Sequence, residues 1–195
     1  TIREPASRID RTATPQIAVN VDSDDSHESA VPTTSSDLPQ TTRRAEVSGG
    51  LGTPGSRSRR AWANRFGRLV AADLETLSSL AESEVGKPHW ETITAEVMPL
   101  IASCRWHARR GGRILKDRRL PGRPWWLLGQ RGLVRRVPLG RVGIIGTWNY
   151  PIQLLGIQIV QAVVGGNQVV VKPSERSPKT QRRLIELAWA AGLSR

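Results

Sequence analysis

At 195 residues the chain suffices for one domain and a tail, and its single cysteine, Cys104, excludes an intrachain disulfide framework and fits a reducing compartment. The net charge of +12 is uneven: residues 1–58 hold six Arg against eight acids, so the excess falls on the remainder, where it would attract phosphate-bearing partners. The longest apolar stretch, Leu154 to Val164, is broken by Gln158 and Gln161 and falls short of the ~18 residues of a membrane span, while residues 1–30 lack a secretory apolar core, so the reading is a soluble cytoplasmic protein.

Residues 1–58 are rich in Ser, Thr, Pro, Gly and Asp, with an acidic cluster at Asp22, Asp24, Asp25 and Glu28, and are expected to form a disordered low-complexity tail. Residues 59–131 form a helical segment. Trp62, Phe66, Leu69, Val70, Leu74, Leu77 and Leu80 step by three and four, which predicts one amphipathic helix ending near Val85, where Gly86 and Pro88 stop it. A second helix is predicted over 91–109, kinked at Pro99. Gly111 to Gln130 reads as irregular.

From residue 132 the pattern changes. Leu133 to Val137, a Pro138–Leu139–Gly140 turn and Arg141 to Gly146 read as a hairpin, its second strand apolar throughout and therefore expected to be buried on both faces. Pro151 opens a helix to about Val164, Gly165–Gly166–Asn167 ends it, and Gln168 to Val171 is another strand. Ser177 is placed to cap a last helix that Gly192 terminates. The predicted fold is α/β: an incomplete Rossmann-like parallel sheet, strand–helix–strand–helix, preceded by two amphipathic helices and a hairpin. Both termini read as cut, so the chain is expected to be a fragment.

Three motifs follow one another in order. Glu84-Val85-Gly86-Lys87-Pro88 lies at the end of the first helix; Pro138-Leu139-Gly140-Arg141-Val142-Gly143-Ile144-Ile145-Gly146-Thr147-Trp148-Asn149-Tyr150-Pro151 spans a strand and the turn after it; Gly165-Gly166-Asn167-Gln168-Val169-Val170-Val171-Lys172-Pro173-Ser174-Glu175 spans the next strand and turn. Together they resemble the NAD(P)-dependent aldehyde dehydrogenase superfamily over about Ala61 to Arg195, most weakly over Gly111 to Gln130. The Thr-Trp-Asn-Tyr-Pro variant is closest to the branch acting on fatty and aromatic aldehydes.

The resemblance implies an enzyme that oxidises an aldehyde to its acid through a cysteine thiohemiacetal, with NAD as cofactor and NADP as the alternative. Asn149 would donate its amide to the oxyanion, a contact that lowers such barriers by roughly 3–4 kcal/mol; read locally, the same Asn could serve as the helix N-cap before Pro151. Lys172 and Glu175 would grip the adenosine ribose, with Glu175 repelling a 2′-phosphate, although in isolation such a pair is commonly solvated surface. Ser174 and Thr147 would add minor contacts, and Ile145, Gly146 and Trp148 would line the cofactor cleft. No G-x-G-x-x-G follows Ile145; in the family the pyrophosphate turn comes later, beyond residue 195, as do the nucleophile and general base, so the fragment itself is expected to be inactive.

Cys104 is the chemistry's residue type in the wrong place, on the inner face of an early helix, and reads as a buried hydrophobe. His27, His89 and His107 match no zinc spacing. The hairpin resembles the family's oligomerisation element, implying a homo-oligomer in the intact enzyme. The rival reading is a basic noncatalytic nucleic-acid or phosphate-binding module in which Trp125 and Trp126 stack on bases; the motifs weigh against it, and no nucleic-acid partner is expected.

Overall fold

The spacing of Trp62, Phe66 and Val70 produces the predicted amphipathic helix, which in the computed structural model runs as α1 (Ser56–Ala72). The structure describes the backbone of residues 17–19, and residues 56–121, 126 and 132–194. The remaining residues of the predicted tail and, within the irregular stretch, residues 122–125 (Trp125 among them) and 127–130 lie outside these.

One predicted helix is two. At Asp73 the chain leaves helical geometry, and α2 (Leu74–Val85) begins. The Asp73 carboxylate accepts two hydrogen bonds from Arg183, at 2.8 and 2.7 Å, so a tertiary pair interrupts a pattern that periodicity alone would continue. Gly86 then ends α2 in the left-handed conformation, φ 67°, its amide donating to the Glu82 carbonyl. A helical turn α3 (His89–Glu91), a π-helical segment (Thr92–Val97) and α4 (Met98–Ile114) follow. Pro99 thus falls in the first turn of α4 rather than inside a regular helix, directly after a wider turn that relieves the clash of its ring with a carbonyl four residues back.

Two expectations for the strands are corrected. Leu133–Val134 (β3) pairs antiparallel with Arg118–Arg119 (β2), not with Arg141–Ile145 (β4); the predicted hairpin does not form, because β4 is drawn into a parallel pairing with Gln168–Lys172 (β5). A third strand, Ile17–Val19 (β1), comes from the predicted tail and pairs parallel with the other edge of β5, giving the order β1–β5–β4. Three consecutive apolar residues bring hydrogen-bonding groups and β propensity to an otherwise open edge.

Between β4 and β5 the chain crosses through α5 (Gln153–Gly165), and α6 (Pro178–Ala190) follows β5, as the alternation predicts. The core lies between the helices and one face of the sheet: Phe66, Leu77, Leu100, Ile152, Leu155, Ile159, Leu184 and Ile185 are fully buried there with Val169 and Val171 of β5. Trp62 stacks on Phe66 and donates its indole N–H to the Ala188 carbonyl at 3.0 Å, which ties α1 to α6. β4 is covered on one side only: Ile144 is 5% exposed and its neighbour Ile145 74%. Double burial was expected from its unbroken apolar run; among the described residues the helices cover a single face, so the alternation of an exposed sheet results.

Candidate active site

The two strand–turn–helix units place their connecting turns side by side at the carboxyl end of β4 and β5, the edge at which open α/β sheets bind ligands. The first turn runs from Gly146 to Ile152 and the second from Pro173 to Ser177. The Gly146 amide donates to the Lys172 carbonyl at 2.8 Å, extending the parallel ladder one step past the strands.

A side chain that the sequence reading passed over joins the turns. Gln181 of α6 is fully buried; its Nε2 donates to the Thr147 carbonyl at 2.8 Å, and its Oε1 accepts from the Ser174 amide at 2.7 Å. The carboxamide passes so close to Gly146 that a Cβ there would collide with it, which explains glycine at this position without any appeal to φ. A polar residue on the buried stripe shared with Leu184 and Ile185 was the available signal.

Ile145, Thr147, Trp148, Lys172 and Glu175 are all exposed along this edge, and Gly146 is half-buried. Lys172 Nζ lies 3.1 Å from Glu175 Oε2. The Glu175 carboxyl is held below its ordinary range, first by a hydrogen bond from its own backbone amide and then by the Lys172 ammonium. The Arg176 guanidinium sits 5.1 Å from the centre of the Trp148 ring. Ser174 differs from these: it turns inward, and its hydroxyl accepts the Arg176 amide at 3.2 Å, so it shapes the turn rather than facing the edge.

Asn149 is exposed, and among the described residues its carboxamide makes no hydrogen bond. The N-cap duty that a local reading would give it is performed by Glu96, whose Oε2 accepts the amides of Ile152 at 2.7 Å and Gln153 at 3.1 Å. The backbone of Asn149 is held: Lys87 Nζ donates to its carbonyl at 2.6 Å and to Glu96 Oε1 at 2.7 Å. The motif at the end of α2 therefore has two structural products. Lys87 reaches the first turn, and Glu84 reaches α6, accepting the amides of Lys179 and Thr180 at 2.8 Å each. Ser177 occupies the expected cap position of α6, but its buried hydroxyl has no partner among the described residues; the carboxylate of Glu84 does that work instead.

Cys104 is buried to 0% exposure against α1, and burial pushes its thiol up to about 12. A group so placed offers no thiolate near neutrality. The described residues contain no grouping of three or more His, Cys, Asp or Glu able to hold a metal. A cleft between α1 and α4, about 350 Å³, is lined by Arg57, Arg60, Arg105 and Arg109 together with Ala61, Asn64 and Ala108. None of the strand-end residues borders it, so part of the positive charge is gathered away from the site.

Residues 42–195 match the aldehyde dehydrogenase family. An N-succinylglutamate 5-semialdehyde dehydrogenase of Sphingopyxis alaskensis is 35% identical over 129 residues, 66% of this chain and 26% of the relative. A Mycobacterium ulcerans protein, provisionally named as an NADP-dependent succinate-semialdehyde dehydrogenase, is 36% identical over 135 residues, 67% of this chain and 25% of that protein. The crystal structure of a gamma-glutamyl-gamma-aminobutyraldehyde dehydrogenase from Burkholderia cenocepacia superposes with a TM-score of 0.64 at 33% identity, covering 72% of this chain and 28% of the other. The chain thus spans about a quarter of the length of the curated relatives it matches.

Proposed function

Because this chain belongs to the aldehyde dehydrogenase family, we propose that it supplies the oxyanion donor and part of the NAD(P) site of an enzyme that oxidises an aldehyde to a carboxylic acid. The observation that carries this reading is Asn149: it is exposed beside the strand edge and its carboxamide makes no hydrogen bond among the described residues, while Glu96 takes over the capping role that would otherwise account for an asparagine here.

The strand-end residues fit a dinucleotide. Lys172 and Glu175 present an ammonium and a carboxylate side by side, suited to ribose hydroxyls, and the exposed faces of Ile145 and Trp148 offer apolar surface to a flat ring. Gly146, Thr147 and Ser174 set the paths of the turns. When bound, NAD(P)+ accepts the hydride lost by the substrate. Addition of a cysteine thiolate to the aldehyde carbon gives a thiohemiacetal whose oxygen carries negative charge, and the Asn149 amide donates to that oxygen. Loss of hydride leaves a thioester, which water activated by a glutamate hydrolyses to the acid. Cys104 is sealed in the core and does not supply the thiolate.

Glu175 disfavours a 2′-phosphate by like charge, so NAD is the preferred coenzyme, with NADP the alternative named for the mycobacterial relative. The substrate class is tested in two arms: the Trp148–Asn149–Tyr150 motif favours fatty or aromatic aldehydes, whereas the relatives are named for acid semialdehydes. The intact enzyme is a cytoplasmic homo-oligomer on this reading, with the exposed Leu133, Val137 and Leu139 available for a subunit contact. The test is to purify the natural gene product, titrate NAD and NADP, and follow aldehyde-dependent reduction of each with both substrate classes. Reduction with neither class would overturn the proposal.

A further inference from the structure

We propose that the buried Lys87–Glu96 ion pair is the positioning device for Asn149, gripping the turn that carries it at Asn149 itself and at its junction with α5. The inference rests on the reading of Asn149 given above.

Lys87 is 8% exposed and Glu96 0%. An ammonium has three N–H donors and no acceptor. Here Nζ is 2.7 Å from Glu96 Oε1, 2.6 Å from the Asn149 carbonyl oxygen and 3.8 Å from the centre of the Tyr150 ring, with Glu91 Oε1 at 3.8 Å on its more open side. The other oxygen of Glu96 accepts the Ile152 and Gln153 amides. One ion pair therefore fixes the carbonyl at 149, midway along the turn between β4 and α5, and the amides at 152 and 153, where the turn enters α5. Residues 146–152 lie outside both elements, so this grip, with the Gln181 bond at Thr147, sets their path.

Burying two charges is a poor way to stabilise a fold, since a well-packed apolar pair of similar volume commonly does as well or better. It is a good way to specify one geometry, because each charge admits few arrangements that satisfy it. An oxyanion donor needs that specificity: a displacement of about 1 Å at a reacting centre can cost about 100-fold in rate. Lys87 and Glu96 do not touch the substrate; they act through the Asn149 backbone.

The test measures the single-turnover rate of NADH formation by the natural gene product carrying Lys87→Met, Asn149→Ala, and both. Lys87→Met is expected to slow the step about 10- to 100-fold while leaving the dissociation constant for NAD unchanged. In the Asn149→Ala background the same change is expected to cost less than about twofold, because the donor it positions is already gone. Lys87→Met strands a buried carboxylate, so the Lys87→Met/Glu96→Gln variant, which removes both charges, is measured alongside and is expected to show the same slowing whether or not the single variant folds. A paired variant with the wild-type rate, or a loss that adds fully to that of Asn149→Ala, overturns the positioning role while leaving Asn149 its own. A wild-type protein that oxidises no aldehyde, or Asn149→Ala at full rate, overturns the reading of Asn149 and the positioning with it.

Discussion

Glu84 and Thr180, 96 residues apart, share two hydrogen bonds: one carboxylate oxygen accepts both the Thr180 amide at 2.8 Å and its hydroxyl at 2.7 Å. The other oxygen takes the Lys179 amide, so a side chain at the end of α2 caps the positive end of α6. Removing a cap of this kind costs about 1–2 kcal/mol. Glu84→Ala is expected to lower stability to urea by that amount. Ser177→Ala, at the formal cap position, is expected to be neutral within about 0.5 kcal/mol, since its hydroxyl makes no bond to lose. The reverse ranking of urea midpoints would contradict the assignment.

The turns at the carboxyl edge of the sheet depend on Gln181. Gly146→Ala drives a methyl group into the Gln181 carboxamide and is expected to cost about 1–3 kcal/mol and to weaken NAD binding. Gln181→Ala removes the obstacle and also both bonds that hold the turns together. In the Gln181→Ala background the further change Gly146→Ala is therefore expected to cost little. Isothermal titration with NAD and urea unfolding of the three variants would reveal additive losses if the two residues acted separately.

Much of this arrangement was legible in the chain. The apolar runs of β4 and β5, with Pro151, Gly166 and Pro178 punctuating them, gave the strand–helix–strand–helix order, and the motifs placed Asn149, Lys172 and Glu175 at one sheet edge. What escaped was long-range and polar. β1 is three residues in a Ser- and Asp-rich setting, too short for a period to register. The break at Asp73 follows from Arg183, and the pairing of β3 with two arginines of β2 has no apolar pattern to announce it. Lys87 and Glu84 stood inside a recognised motif without assigned partners, because a side chain that bonds distant backbone leaves no local signature. Glu96 left one clue, an acid sharing a buried face with Thr92 and Leu100.

Cys104 gives a prediction in pH. Its thiol, ordinarily near 9.0, is pushed up to about 12 by burial. The unfolded chain therefore ionises first: below about pH 9 the thiol is neutral in both states and its burial is fully favourable, and that advantage is lost as pH climbs from about 9 towards about 12. Cys104→Ala is expected to flatten this part of the alkaline unfolding profile, to cost about 1 kcal/mol at neutral pH, and to leave NAD binding unchanged. A large loss of nucleotide affinity would contradict the reading of Cys104 as a buried hydrophobe.

Glu175 should govern the choice of coenzyme. Its carboxyl is held below its ordinary range by its own backbone amide and the Lys172 ammonium, so it is ionised at neutral pH and would repel a 2′-phosphate there. Glu175→Gln is expected to raise affinity for NADP relative to NAD by about tenfold, an effect that shrinks in high salt because the site is exposed. Unchanged relative affinities would remove Glu175 from the ribose.

The most direct measurement is the rate of aldehyde-dependent NADH formation by the natural gene product with Asn149 intact and with Asn149→Ala. A fall of about 10²- to 10³-fold in kcat, with NAD affinity unaltered, is the predicted result. An unchanged kcat would contradict the central claim, since the exposed Asn149 carboxamide at this edge would then have no part in the chemistry.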